Sequence, residues 1–141
     1  MLSFTVSAVT VSEADAYATS RGLSDWTGDN TAKTAALRRG QDYIAGKYNR
    51  RWLVSFDDTT APDAVKYAIC EAAVREIKTP FCLTPDVVLG REKVLTEVKG
   101  IKWTPLKADA TAADLDPTIY SIQGLLAGVA SIGNLPAAFA V

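Results

Sequence analysis

The stretch VSEADAYATSRGLSDW, Val11 to Trp26, begins as a helix and stops abruptly at Arg21-Gly22, with a tryptophan shortly beyond the glycine. Ser12 is placed to cap this helix, Asp15 completes an S-x-x-D capping box, and acids in the first turn suit the positive end of the helix dipole. Ala16, Tyr17 and Ser20 carry it on, and Gly22 supplies the left-handed residue that closes it. A helix of about ten residues is too short to stand alone in water. It must dock, and Tyr17, Leu23 and Trp26 are the anchors on offer. Burying one tryptophan removes roughly 200 Å² from water, an upper-bound gain of about 5 kcal/mol.

After the turn TGDN, the run TAKTAALRRGQDYIAGKYNRRW carries Ala36, Leu37, Tyr43, Ile44, Tyr48 and Trp52 at helical spacing, which predicts the longest helix, capped by Asp29 or Asn30. Gly40 and Gly46 lie inside it at a cost near 1 kcal/mol each relative to alanine, and close approach of another backbone would compensate. A polar break, SFDDTTAP, leads to a third helix announced by Thr60, with Pro62 in its first turn and Asp63 completing T-x-x-D. Its apolar stripe is Val65, Ala68, Ile69, Ala72, Ala73 and Ile77, and Thr79-Pro80 ends it. Tyr17, Trp26, Leu37, Ile44, Trp52, Val65, Ile69 and Ile77 are the predicted shared core.

The texture then changes. REKVLTEVKGIKWTPL alternates in the strand manner around Lys99-Gly100, which predicts a β-hairpin over about 92–106. ADATAADLD reads as a loop, and Asp116-Pro117 as the start of a last helix carrying Ile119, Ile122, Leu125 and Leu126. No charged residue follows Pro117, yet Gln123, Asn134 and Pro136 dilute this segment below a good membrane span, so an apolar tail covered by a partner is expected instead. The expected fold is mainly α: a small bundle of about four helices in one domain, with a helical core over about 12–80, a protruding β-hairpin and an extended C-terminal tail over about 117–141.

Composition narrows function. A chain of 141 residues can bury a core without staples, and a formal net charge of −1 gives no global pull toward nucleic acid or anionic membrane. Cys70 and Cys82 form no CxxC motif, and the chain has no histidine, so a zinc site and the usual histidine-based nucleophile pairs are absent. The N-terminal sequence lacks the basic and apolar regions of a secretory signal, which favours reduced thiols in a cytoplasmic setting. With no Walker loop, GxGxxG or GxSxG either, neither an enzyme nor a bound cofactor is expected.

The order of these motifs resembles a known group. TVSEADAYATSRGLSDW, AALRRGQDYIAGKY with a following tryptophan, APDAVKYAICEAA, VVLGREKVLTEVKGIKW and PTIYSIQGLLAG together are similar to tailed-bacteriophage head–tail connector proteins, sequences often labelled DnaT-like ssDNA-binding proteins. The similarity covers about Val6 to Gly128, and the first motif is its most specific part. The resemblance implies a small helical neck adaptor that assembles as a ring, commonly of twelve copies, under the portal and extends the channel for genome passage. It implies no catalytic residue. Its partners would be other copies, the portal protein, a tail-completion or other neck protein, and genomic dsDNA passing without sequence-specific contact. The chain would reside in the virion neck, and in the host cytoplasm during assembly. Many relatives place a Pro-Arg element after the second helix's tryptophan, where this chain reads WLVSFDDTTAPD.

Two functions follow. As a structural adaptor, the chain would use Arg38, Arg39, Arg50, Arg51, Trp103, Leu125, Leu126, Leu135 and Phe139 at intersubunit or partner contacts. As a single-stranded nucleic-acid binder, it would use the second helix, where Lys33, Arg38, Arg39, Lys47, Arg50 and Arg51 oppose only Asp42 and interleave with Tyr43 and Tyr48. Such binding needs a basic groove with bases stacked on exposed aromatics. The tyrosines share the apolar stripe of Ile44 and Trp52, which favours the adaptor.

Overall fold

The computed structural model describes residues 1–86, 93–97, 102–105 and 118–132. Among these the protein is mainly helical, with four helices: α1 Val11–Arg21, α2 Asn30–Tyr48, α3 Asp63–Lys78 and α4 Tyr120–Leu126. The chain divides into two compact units, one made of Met1–Leu83 with Ile119–Val141 and the other of Thr84–Thr118.

α1 is capped two residues earlier than the sequence suggests. Thr10, not Ser12, is the N-cap: its Oγ1 accepts from the Glu13 N–H while the Glu13 carboxylate accepts from the Thr10 N–H at 2.8 Å, a complete capping box. Glutamate reaches back over one turn where the shorter Asp15 does not, so T-x-x-E outcompetes S-x-x-D. Gly22 closes the helix in the left-handed region as expected, at φ 63° and ψ 36°. Leu23 N–H then returns to the Ala18 carbonyl at 2.9 Å and turns the chain toward Trp26. Released from capping, Asp15 accepts the Trp26 indole N–H at 2.7 Å and pairs with Lys33 at 2.9 Å. The short helix is thus bolted to the tryptophan that follows it and to the start of α2.

Asp29 caps α2 by accepting from the Ala32 N–H at 2.8 Å. α2 packs along α3, and Gly40 is the point of closest approach: a Cβ there would lie 3.0 Å from both the Ala73 nitrogen and the Ile69 carbonyl oxygen. Gly46 meets nothing within 4 Å and only weakens the helix. α2 ends at Tyr48, short of Trp52, because Asn49 turns the chain and accepts the Trp52 indole N–H at 2.9 Å. The expected Thr60–Asp63 box is also replaced. Asp57 gathers the N–H and hydroxyl groups of Thr59 and Thr60 in its own turn, and α3 starts behind Pro62 with no side-chain cap.

The core joins Tyr17, Trp26, Leu37, Ile44, Val65 and Ile69, as expected, to Leu2, Val9, Tyr48, Phe56, Leu83, Ile122 and Leu126, while Trp52 and Ile77 pack half-buried against it. α4 begins at Tyr120 rather than at Pro117 and buries Ile122 and Leu126. Beyond it the chain makes one antiparallel bridge, Trp52 to Ala130. In the second unit, β1 Lys93–Glu97 pairs antiparallel with β2 Lys102–Pro105, Leu95 opposite Trp103, with an irregularity between Leu95 and Glu97. The turn joining them and most of the tail fall outside the described residues.

Candidate interaction surface

The surface is built around the N-terminal segment 1–9, which crosses α2 without belonging to any sheet. Irregular backbone lying on a core must find hydrogen-bond partners. Side chains supply them here. Gln41, 2% exposed, accepts from the Ala8 N–H at 2.9 Å and donates to the carbonyls of Ser3 and Val6 and to Asp58. Asn49 grips Leu2 twice, accepting its N–H at 3.0 Å and donating to its carbonyl at 2.8 Å. The buried Asp58 accepts the Ser3 N–H, and the Met1 amino group donates to the Phe56 carbonyl. Leu2, Ala8 and Val9 face the core, which leaves Phe4 and Val6 outside.

None of Gln41, Asn49 and Asp58 was a sequence candidate. One signal was present: Gln41 sits between Leu37 and Ile44 on the inward stripe of α2, where a lone polar side chain must have a buried partner.

Residues 50–54 follow α2 and lead to Phe56 and Asp58, which hold Met1 and Ser3. The bridge fixes their backbone, with Leu53 N–H donating to the Val129 carbonyl at 2.9 Å and Ser131 N–H to the Arg51 carbonyl at 2.7 Å. Trp52 is held between Tyr48 and Phe56, its ring 5.0 Å from that of Phe56. Leu53 is 66% exposed, Val54 is exposed, and both arginines project outward.

The sequence candidates separate sharply. Arg38 pairs with Asp42 at 2.8 Å and donates to the Ser3 and Val6 carbonyls, so it fastens the N-terminal segment. Arg39 pairs at 2.7 Å with Glu76, which is 1% exposed and also accepts the N–H groups of Phe81 and Leu83. Arg50 and Arg51 make no side-chain hydrogen bond or ion pair to the described residues. Leu126 is wholly buried in the chain's own core and offers no surface, and Leu125 is half-buried. The Trp103 side chain, Leu135 and Phe139 lie outside the described residues.

Tyr17 and Tyr67 pack with their rings tilted at 32° and centroids 5.0 Å apart beneath the Arg21 guanidinium, in an open hollow of about 380 Å³ between α1 and α3. The Tyr17 hydroxyl donates to Glu71 at 2.7 Å, and burial followed by that carboxylate raises its pKa. Burial also pushes the neighbouring Cys70 thiol up to about 12, so it stays protonated and unreactive. No cluster of His, Cys, Asp and Glu among the described residues could hold a metal ion, and no described helix is long and apolar enough to cross a membrane.

Against this geometry stands one family match. Residues 6–55 fit the family described as "Putative DnaT-like ssDNA binding protein". The match takes in the last four residues of the N-terminal segment, α1, α2 and the exposed loop beyond it, and leaves α3, α4 and the second unit unmatched. No curated protein and no solved structure matches the chain.

Proposed function

We propose that the chain is a structural adaptor of a tailed-phage neck, a head–tail connector subunit that assembles as a ring under the portal and lines the path of the genome. The observation that carries this reading is the split among the exposed groups. Apolar side chains at Phe4, Val6, Leu53 and Val54 stand in water on segments tied down by hydrogen bonds, and Arg50 and Arg51 next to Leu53 in sequence are exposed with no ion pair among the described residues. Large apolar groups held rigidly in solvent mark a protein interface. The motif order from Val6 to Gly128 supplies the phage context. In this reading the hairpin around Trp103 and the tail residues Leu135 and Phe139 complete contacts with neighbouring copies, the portal or a tail-completion protein, and dsDNA passes without base recognition. Electron microscopy of the purified chain, alone and with portal, tests the proposal: closed rings are expected, and a chain that neither self-assembles nor binds portal would refute it.

A second reading, single-stranded DNA binding, is favoured by the family match over residues 6–55. Several of the side chains it would use are otherwise engaged. Tyr48 is buried, Trp26 and Trp52 are packed into or against the core, and Arg38 and Arg39 are used in intrachain pairs. Stacking platforms need exposed aromatic faces along a basic groove. Titration with an oligonucleotide separates the readings: nanomolar affinity at physiological salt, lost on replacing Arg50 and Arg51, would establish the second.

A further inference from the structure

Phe81 is the one non-glycine residue in the left-handed region among the described residues, at φ 63°, where its Cβ crowds its own backbone and glycine would sit freely. Its side chain is nevertheless 65% exposed, so burial in its own core does not offset the strain. The surrounding chain holds it there. Its N–H donates at 2.9 Å to the buried Glu76, and the Arg39 guanidinium that pairs with Glu76 lies 4.9 Å from the ring centroid. A strained, braced and exposed aromatic is a preformed anchor, because little ordering remains to be done on docking. Arg39 is paired with Glu76, and Lys78, shortly before Phe81, with Asp25. An anchor on paired charge suits an apolar socket in a protein rather than a phosphate backbone.

The same chain carries such a socket. The hollow between α1 and α3 has a buried lining of Val9, Tyr17 and Cys70, with Tyr67 half-buried beside them under the Arg21 guanidinium. Its rim charges Glu13 and Lys66 pair with each other at 3.1 Å. Tyrosine rings and a guanidinium both attract a phenyl ring, and about 380 Å³ is room enough for one. Within one chain the two do not meet. The hollow lies against residues 63–70 of α3, whereas Phe81 is fastened past the other end of that helix, and residues 70–78 alone span about 12 Å. We infer that Phe81 of one copy inserts into the hollow of Tyr17 and Tyr67 on the next. This rests on the adaptor reading and deepens it. Because anchor and socket are different surfaces, the contact is head-to-tail and repeats from copy to copy until it closes.

Two substitutions test it on the full chain, with association followed by sedimentation velocity and folding by circular dichroism. Phe81→Gly should melt no lower than the wild type, since glycine accepts this backbone, yet self-associate more weakly, on the order of tenfold or more. Ala16→Trp, at an exposed position of α1 lining the hollow, should fill the socket with the fold intact and weaken association similarly. Mixing decides the pairing. At concentrations where each variant is monomeric, the Ala16→Trp copy keeps its anchor and the Phe81→Gly copy keeps its socket, so an equimolar mixture should form a dimer that grows no further. A mixture that stays monomeric would overturn the contact. Rings that form equally well from both variants would overturn it too and leave the adaptor reading standing. A melting temperature lowered by Phe81→Gly would make the ring a part of its own fold and end the proposal. A wild-type chain that stays monomeric would overturn both readings. Oligothymidine binding lost in Phe81→Gly, with association intact, would give the ring to a stacked base instead.

Discussion

Single residues carry opposed roles that their identities do not reveal. Gly40 and Gly46 are both glycines inside α2, yet only one meets a neighbour. Gly40→Ala should cost about 1–3 kcal/mol, because the added carbon meets α3 backbone that cannot swing aside. Gly46→Ala should add about 0.5–1 kcal/mol by stiffening the unfolded chain. Urea melts of the two variants check this directly, and equal shifts of one sign would contradict the packing. The arginines divide in the same way. Arg39→Ala leaves the buried Glu76 carboxylate without its cation and should cost about 1.5–3 kcal/mol, whereas Arg50→Ala should leave the melting temperature nearly unchanged. Sequence grouped these arginines because a charge run shows which residues are cationic but not where the acids of other helices will stand. Trp26 was legible as an anchor, being a large aromatic placed just after a helix stop. Trp26→Ala should cost about 3–5 kcal/mol.

At the scale of elements, helix existence and order were legible from periodicity, and the caps less so. Thr10→Ala removes a working N-cap and should cost about 0.5–2 kcal/mol, while Ser12→Ala should cost little, which thermal melts will separate. The same end of the molecule sets an acid response. The Thr10 N–H, and then Lys66, hold Glu13 below its ordinary value of 4.5, and Lys33, and then the Trp26 indole, hold Asp15 below 3.8. A lowered native pKa stabilises the fold fully above the unfolded value and stops doing so as pH falls through the native one. Stability should therefore be level above about pH 5 and decline below about pH 4. Glu13→Gln with Asp15→Asn should flatten that decline. Both side chains are well exposed, so each contributes under about 1 kcal/mol. α4 starts late for a related reason: Ile119 stands at its N-cap position and supplies no side-chain acceptor.

At the scale of the whole molecule, the distinction that matters is between cations spent inside the fold and those left outside. Arg38 and Arg39 hold the N-terminal segment and the end of α3, and Arg50 and Arg51 are exposed with no ion pair among the described residues. The chain should accordingly bind single-stranded DNA only weakly, with a Kd of about 10 μM or weaker at physiological salt and a steep loss on adding salt, measurable by fluorescence anisotropy.

Apolar spacing along α2 and α3, the Gly22 stop and Trp26 just beyond it determined by themselves that this protein is mainly helical and where its core helices run. Those signals act within a few residues, and local sequence carries them. Tertiary structure alone decided that Gln41, Asn49 and Asp58 bind the backbone of residues 1–9, that Leu126 is core, and that Arg39 serves Glu76. Each of these joins groups tens of residues apart, where the outcome depends on which polar atoms packing leaves without water.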